Sequence, residues 1–216
     1  MTTRGGATTF GIGALAFMCS CVAKVDYGPY RAHMPRSILV LPPLNESTAV
    51  DAPYTYLSTV SRPLAECGYY VFPVAVIDAF MKDNGLPTPD EMQNVPLTKI
   101  KEVIGADAVL YVTIEDWGQK YQVISSTTIV KARARLVDVA TGATLWTGTE
   151  QLAQGSGGND IISMLVAALI TQIVTSMTDP THQVSRQAAT NMVFNQNNGL
   201  LFGPRSPQYE SDPRGR

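Results

Sequence analysis

Apolar and polar positions alternate along two stretches in the middle of the chain. In the first, Ala108, Leu110, Val112 and Ile114 fall on one face, and Tyr111, Thr113 and Glu115 on the other. In the second, Val130, Ala132, Ala134 and Leu136 point one way and Lys131, Arg133 and Arg135 the other. Period two over this length predicts strands packed on one face and wet or partnered on the other, as in an antiparallel sheet. DVATGATLW at 138–146 then closes a hairpin, with Gly142 where the turn needs a positive φ. A slip of one residue would bury Lys131, Arg133 and Arg135, so the register is well specified.

The flanking pattern supplies elements to cover this sheet. Ile38-Leu-Val-Leu41 is a continuous apolar run, as in a strand buried on both faces, and Pro42-Pro43 ends it. Asp51 is placed to cap a helix whose buried stripe is Leu57, Val60, Leu64 and Cys67. Pro63 lies inside that helix and predicts a kink or break. Gly68 ends it, and Tyr69–Phe72 reads as a second strand. A helix follows over 74–84, then short helical pieces at 90–94 and 97–104, the latter with Leu97, Ile100 and Ile104 toward the core. Met81 and Met92 read as packing residues. After the hairpin, Gly155–Gly158 makes a glycine-rich loop, helices are expected at 161–177 and about 183–194, and Asp179-Pro180 separates them. The last helix is amphipathic through Val184, Ala188, Met192 and Val193. The order β-α-β-α-β-β-β-α predicts an α/β fold, a mixed β-sheet covered by helices.

Composition narrows the function classes. The chain has 216 residues, 45% hydrophobic and 16% charged, with a formal net charge of −2, which suits one globular core. The Lys131/Arg133/Arg135 stripe raises the question of nucleic acid. With a near-balanced, slightly acidic chain and no aromatic residues interleaved, the footprint of nucleic-acid binding is missing. The stripe reads as a solvated face or a surface for an acidic protein partner.

The N-terminus has its own logic. Arg4 precedes an apolar run, Phe10–Met18, and then Cys19-Ser20-Cys21. The run is far short of the about 20 residues a spanning helix takes, and has the length of a signal-peptide core. This stretch resembles a bacterial lipoprotein precursor, in which a small residue precedes the acylated cysteine. Ser20 gives Cys21 that neighbour, whereas Cys19 follows Met18, so Cys21 is the expected lipidation site. Val22, not an aspartate, follows Cys21, which favours the outer membrane by the same resemblance. With Cys21 acylated, Cys67 has no partner and is expected to be a buried, inert thiol.

No catalytic or metal constellation is visible. His33 and His182 lie outside any motif with a nucleophile or metal-ligand spacing, and there is no nucleophile elbow, zinc-protease motif or dinucleotide fingerprint. Asp107, Glu115 and Asp116 border the central strand but read as turn or surface carboxylates. No enzyme, cofactor or metal is expected.

ILVLPPLNES at 38–47, PLAECGYYVFPV at 63–74, KDNGLPTPDEMQNVPLTKIKEVIGADAVLYVTIEDWG at 82–118 and GLLFGPRSP at 199–207 together resemble a family of bacterial lipoproteins of unknown function. The resemblance implies a fold like the N-terminal domain of TolB, a periplasm-facing outer-membrane location, and the company of CsgG-like lipoproteins. It carries no catalytic residues over. The organisation expected is a signal peptide at 1–20, a lipid-anchored tether at 21–36, an α/β domain at 37–194 and an extended or mobile tail at 195–216. The function expected is a non-catalytic accessory subunit of an envelope complex. The alternatives are a regulator of a peptidoglycan synthase, by fold analogy, and a small-molecule or glycan binder using a cleft beside the Gly155–Gly158 loop.

Overall fold

A computed structural model describes residues 26–122, 125–156, 180–212 and 214. The chain runs α1 (Gly28–His33), β1 (Ser37–Val40), β2 (Leu44–Asn45), α2 (Ala52–Glu66), β3 (Tyr70–Val71), α3 (Val74–Asp83), α4 (Pro89–Gln93), α5 (Leu97–Val103), β4 (Ala108–Gln122), β5 (Ser125–Asp138), β6 (Thr144–Ser156) and α6 (Pro180–Phe194). The sheet order is β3-β1-β4-β5-β6, with β2 also on β4. Strands β1, β2, β3 and β4 are parallel, and β4-β5-β6 form an antiparallel meander. The fold is the expected mixed sheet covered by helices.

Strand β1 shows why its sequence does not alternate. Ile38 and Val40 join the core under α1, α2 and α6, while Leu39 and Leu41 join a second core under α3, α4 and α5. Pro42-Pro43 interrupts the line between β1 and β2, because proline has no N–H for the ladder. Gln93 of α4 fills the gap, its Nε2 donating to the carbonyls of Pro42 (2.8 Å) and Val112 (3.1 Å).

The meander keeps its phase through two bulges. Ile114 pairs with Ala132 but Asp116 with Lys131, so two residues of β4 oppose one of β5. The extra residue turns Trp117, three positions after Ile114, back into the core, where both are buried. A second shift between Leu136 and Val137 lets Leu145 and Trp146 both be buried.

The stripe Leu57, Val60, Leu64 and Cys67 is buried as expected, as are Met81, Met92, Val184, Ala188, Met192 and Val193. The break expected at Pro63 does not occur: α2 runs unbroken through it to Glu66. Proline removes one N–H near the helix end, where its loss interrupts little.

Two expectations about the chain ends are corrected. Residues 26–36 are not a free tether. Tyr27 and Tyr30 are buried in the main core, the Tyr27 hydroxyl donates to Gly199 O, and the Tyr30 and Tyr69 hydroxyls bond each other. The tail after Phe194 has little regular structure, yet it is docked rather than loose. Leu200 and Leu201 are buried, and Gly203 N and Arg205 N donate to Cys67 O and Gly68 O. Asp212 accepts from Phe202 N and pairs with Arg214 at 2.9 Å, fastening the strap. Both segments are held by buried tyrosines and backbone contacts, which short segments need in order to offset the entropy of ordering them. Cys21, the helix expected at 161–177 and the loop from residue 157 onward lie outside the described residues; Gly155 belongs to β6.

Candidate functional site: an open strand face

Among the described residues, helices cover both faces of the sheet at β1 and the start of β4, whereas β5 and β6 carry α6 on one face. On the other, alternate residues of the meander form a grid. Tyr111 stands opposite Arg135 and Thr113 opposite Arg133, while Asp116 faces Lys131 after the bulge. On the far side Arg135 faces Thr147, Arg133 faces Thr149 and Lys131 faces Gln151. The three cations share one face, as their spacing dictates, and their neighbours Val130, Ala132, Ala134 and Leu136 are all buried behind them.

The bulge sets the electrostatics. It leaves Glu115 beside two cations: Oε2 lies 2.9 Å from Lys131 Nζ and Oε1 2.8 Å from Arg133 Nη1. The hydrogen bond from Lys131 holds the Glu115 carboxyl below its ordinary value, so it is ionised at neutral pH. Arg135 instead lies over the Tyr111 ring, 5.1 Å from its centroid. Asp116 accepts from Trp117 N at the bulge. Among the described side chains three cations thus share the face with two carboxylates, but the cations reach further out. The Arg133 side chain is 55% exposed against 19% for Glu115. Thr147, Thr149 and Gln151 are exposed and add a row of neutral donors and acceptors. Such a face offers charge-assisted bonds to carboxylates, bidentate where the arginines reach them.

The alternation alone located the three cations. It missed Glu115 as the counter-ion shared by Lys131 and Arg133, because the bulge that places it is a property of two strands in register. The signal was the spacing Ile114 to Trp117, which breaks period two. Cys67, expected inert, is fully buried and burial pushes its thiol up to about 12. His33, far from any motif, lies with Nδ1 3.6 Å from Asp138 Oδ2. Among the described residues no group of three or more His, Cys, Asp or Glu is placed to hold a metal.

Comparison with known proteins bears on this geometry. The family model described as "Putative lipoprotein GNA1162-like" matches residues 25–205. The chain belongs to this lipoprotein family. A relative from Neisseria meningitidis serogroup B, named "Putative lipoprotein NMB1124/NMB1162", is 40% identical over 202 residues, covering 90% of this chain and 94% of the relative. The crystal structure of lipoprotein GNA1162 from Neisseria meningitidis is similar at 42% identity, with a TM-score of 0.55, over 66% of this chain and all of that one. The LpoB C-terminal domain from Salmonella enterica is 20% identical with a TM-score of 0.39, over 55% of this chain and 84% of that one. That likeness is too distant to carry a functional argument. The family's function is not established, so activity has to be argued from the face itself.

Proposed function

We propose that this lipoprotein is a non-catalytic, protein-binding subunit of an envelope complex, anchored through Cys21 in the outer membrane and facing the periplasm. The carrying observation is the open face of β4, β5 and β6. Lys131, Arg133 and Arg135 project from a strand whose other side is buried, beside the exposed Thr147, Thr149 and Gln151. A rigid grid with outward cations suits an acidic protein surface, and binding of this kind needs no reacting group. Val22 after Cys21 supports the outer-membrane placement, and the family resemblance favours a CsgG-like lipoprotein as the partner.

The test is recovery of the complex from detergent-solubilised envelopes with the native chain and with Lys131, Arg133 and Arg135 all changed to Glu. The native complex should weaken as salt is raised. The variant should fold, since these side chains are half-buried or exposed, but should lose the complex. Normal recovery with the variant would refute the face as the docking surface. A parallel Cys21→Ala chain should remain unacylated by intact-mass analysis, and normal acylation there would move the anchor to Cys19.

A further inference from the structure

With Cys21 as the anchor, the docked N-terminal segment limits how the domain can stand on a membrane. The described residues begin at Asp26, five positions after Cys21. A fully extended link of that length spans at most about 18 Å. Tyr27 and Tyr30 clamp α1 beside the starts of β1 and β3, through Gly199 and Tyr69. At the same end β4 begins, β5 finishes at Asp138 and β6 begins at Thr144. Strands β1, β3, β4 and β6 therefore all run away from the anchored end. Along β5, Lys131 stands about 23 Å from that end and Ser125 about 43 Å, at ~3.3 Å per residue.

The anchored end carries a cleft of about 420 Å³, lined by His33, Met34, Arg36, Lys101, Asp107 and Asp138 among others. That volume is within the about 300–1,000 Å³ of small-ligand sites. Its charges have two signs and are only partly used. Asp107 Oδ2 accepts from Arg36 N, Ser37 N and Ser37 Oγ, each at 3.0 Å. Asp138 Oδ2 accepts from Thr141 N and Oγ1, both at 2.7 Å. Among the described residues, Oδ1 of each carboxylate has no partner, and Arg36 and Lys101 have no ion pair. Met34 stands at the rim, 44% exposed, on a backbone with φ of 41° that a non-glycine residue rarely adopts. The local structure thus holds a flexible apolar side chain outward at the end nearest the lipid.

We infer that the anchored end rests on the lipid surface and that this cleft takes a zwitterionic phospholipid headgroup of the ethanolamine class. Arg36 and Lys101 meet the phosphate, and the free oxygens of Asp107 and Asp138 meet the ammonium, which has hydrogens to donate. Met34 lies against the headgroup–acyl boundary. The open strand face is then upright and within reach of partners held at the same membrane. The inference rests on the anchor at Cys21.

The test uses the acylated chain in vesicles of phosphatidylethanolamine with phosphatidylglycerol, or of phosphatidylglycerol alone, carrying quencher lipids. A fluorophore is placed at exposed Thr144→Cys, at the anchored end, or Ala153→Cys, further along β6. The buried Cys67 stays unlabelled. Quenching at position 144 should exceed that at 153 several-fold. It should be stronger when phosphatidylethanolamine is present, and Arg36→Ala with Lys101→Ala should reduce it. Equal quenching at the two positions overturns the upright orientation, and quenching indifferent to headgroup and variant overturns the cleft assignment. Failure of the acylated chain to float with vesicles overturns the anchor instead. Independently of the anchor, the unacylated Cys21→Ala chain is titrated with glycerophosphoethanolamine by NMR. Saturable shifts around Ala106, abolished by the double variant, support the cleft. No shift, or an equal response to inorganic phosphate, overturns it.

Discussion

Gly68→Ala should be far more damaging than Gly85→Ala, and the difference measures the docking of the C-terminal strap. Both glycines end helices with positive φ, 102° at Gly68 and 83° at Gly85. Placing an alanine in left-handed backbone costs about 1–2 kcal/mol, offset in part by about 0.4–1 kcal/mol from the stiffer unfolded chain. That is the whole expected effect at Gly85, where a Cβ would meet nothing within 4 Å. At Gly68 the new Cβ would lie 2.6 Å from Ser206 N and 2.7 Å from Gly203 O. Those atoms are backbone, held by bonds from Gly203 N to Cys67 O and Arg205 N to Gly68 O, so they cannot swing aside. Overpacking of this kind adds about 1–3 kcal/mol. The expected losses are about 1 kcal/mol for Gly85→Ala and about 2–4 kcal/mol for Gly68→Ala. Urea unfolding of the unacylated chain measures both, and at about 2–4 °C per kcal/mol the Tm values should separate clearly. Equal losses would refute the docked strap and restore a loose tail.

Cys67 should resist thiol reagents in the folded protein and react once it is unfolded; fast native labelling would show that the α2 stripe opens. Burial raises the Cys67 thiol to about 12 and also raises Tyr56 well above its ordinary value. Stability from such groups is complete below their unfolded pKa and is lost as pH rises toward the folded one, so alkaline unfolding should set in above about pH 9. Tyr56→Phe should move that transition upward with little cost at neutral pH, because among the described residues its hydroxyl reaches no partner nearer than the Met192 sulfur at 4.0 Å. Gly148→Ala should lose about 1–3 kcal/mol by urea unfolding, since its Cβ would lie 2.3 Å from the Trp146 ring and 3.0 Å from Met192 Cγ; an unchanged midpoint would mean that the ring packs elsewhere.

What could be read from the sequence follows the range of the forces involved. Alternation over 108–114 and 130–136 reports which side of a strand meets the core, a local property that survives any topology, so both strands and the outward cations were legible. The stripe of α2 was legible for the same reason at period 3.6. The six residues of α1 are too few to show that period, and its place is fixed by Tyr27 and Tyr30 meeting Gly199 and Tyr69, partners far along the chain. The tail misled because glycines and prolines usually mark loose chain. Here Gly203 is small so that its backbone can lie against Gly68, a contact recorded by the absence of a side chain and not by any pattern. The same limit applies to function. A row of three cations has one meaning if solvated and another if neutralised, and Glu115 decides between them through a bulge that exists only once β4 and β5 are in register. Because Glu115 pairs with Lys131 and takes one hydrogen bond from Arg133 while lying deeper than either arginine, the outward charge that remains among the described side chains is concentrated on Arg133 and Arg135. Neutralising those two should therefore cost a partner more affinity than neutralising Lys131, and this inequality separates a docking surface from a merely solvated stripe.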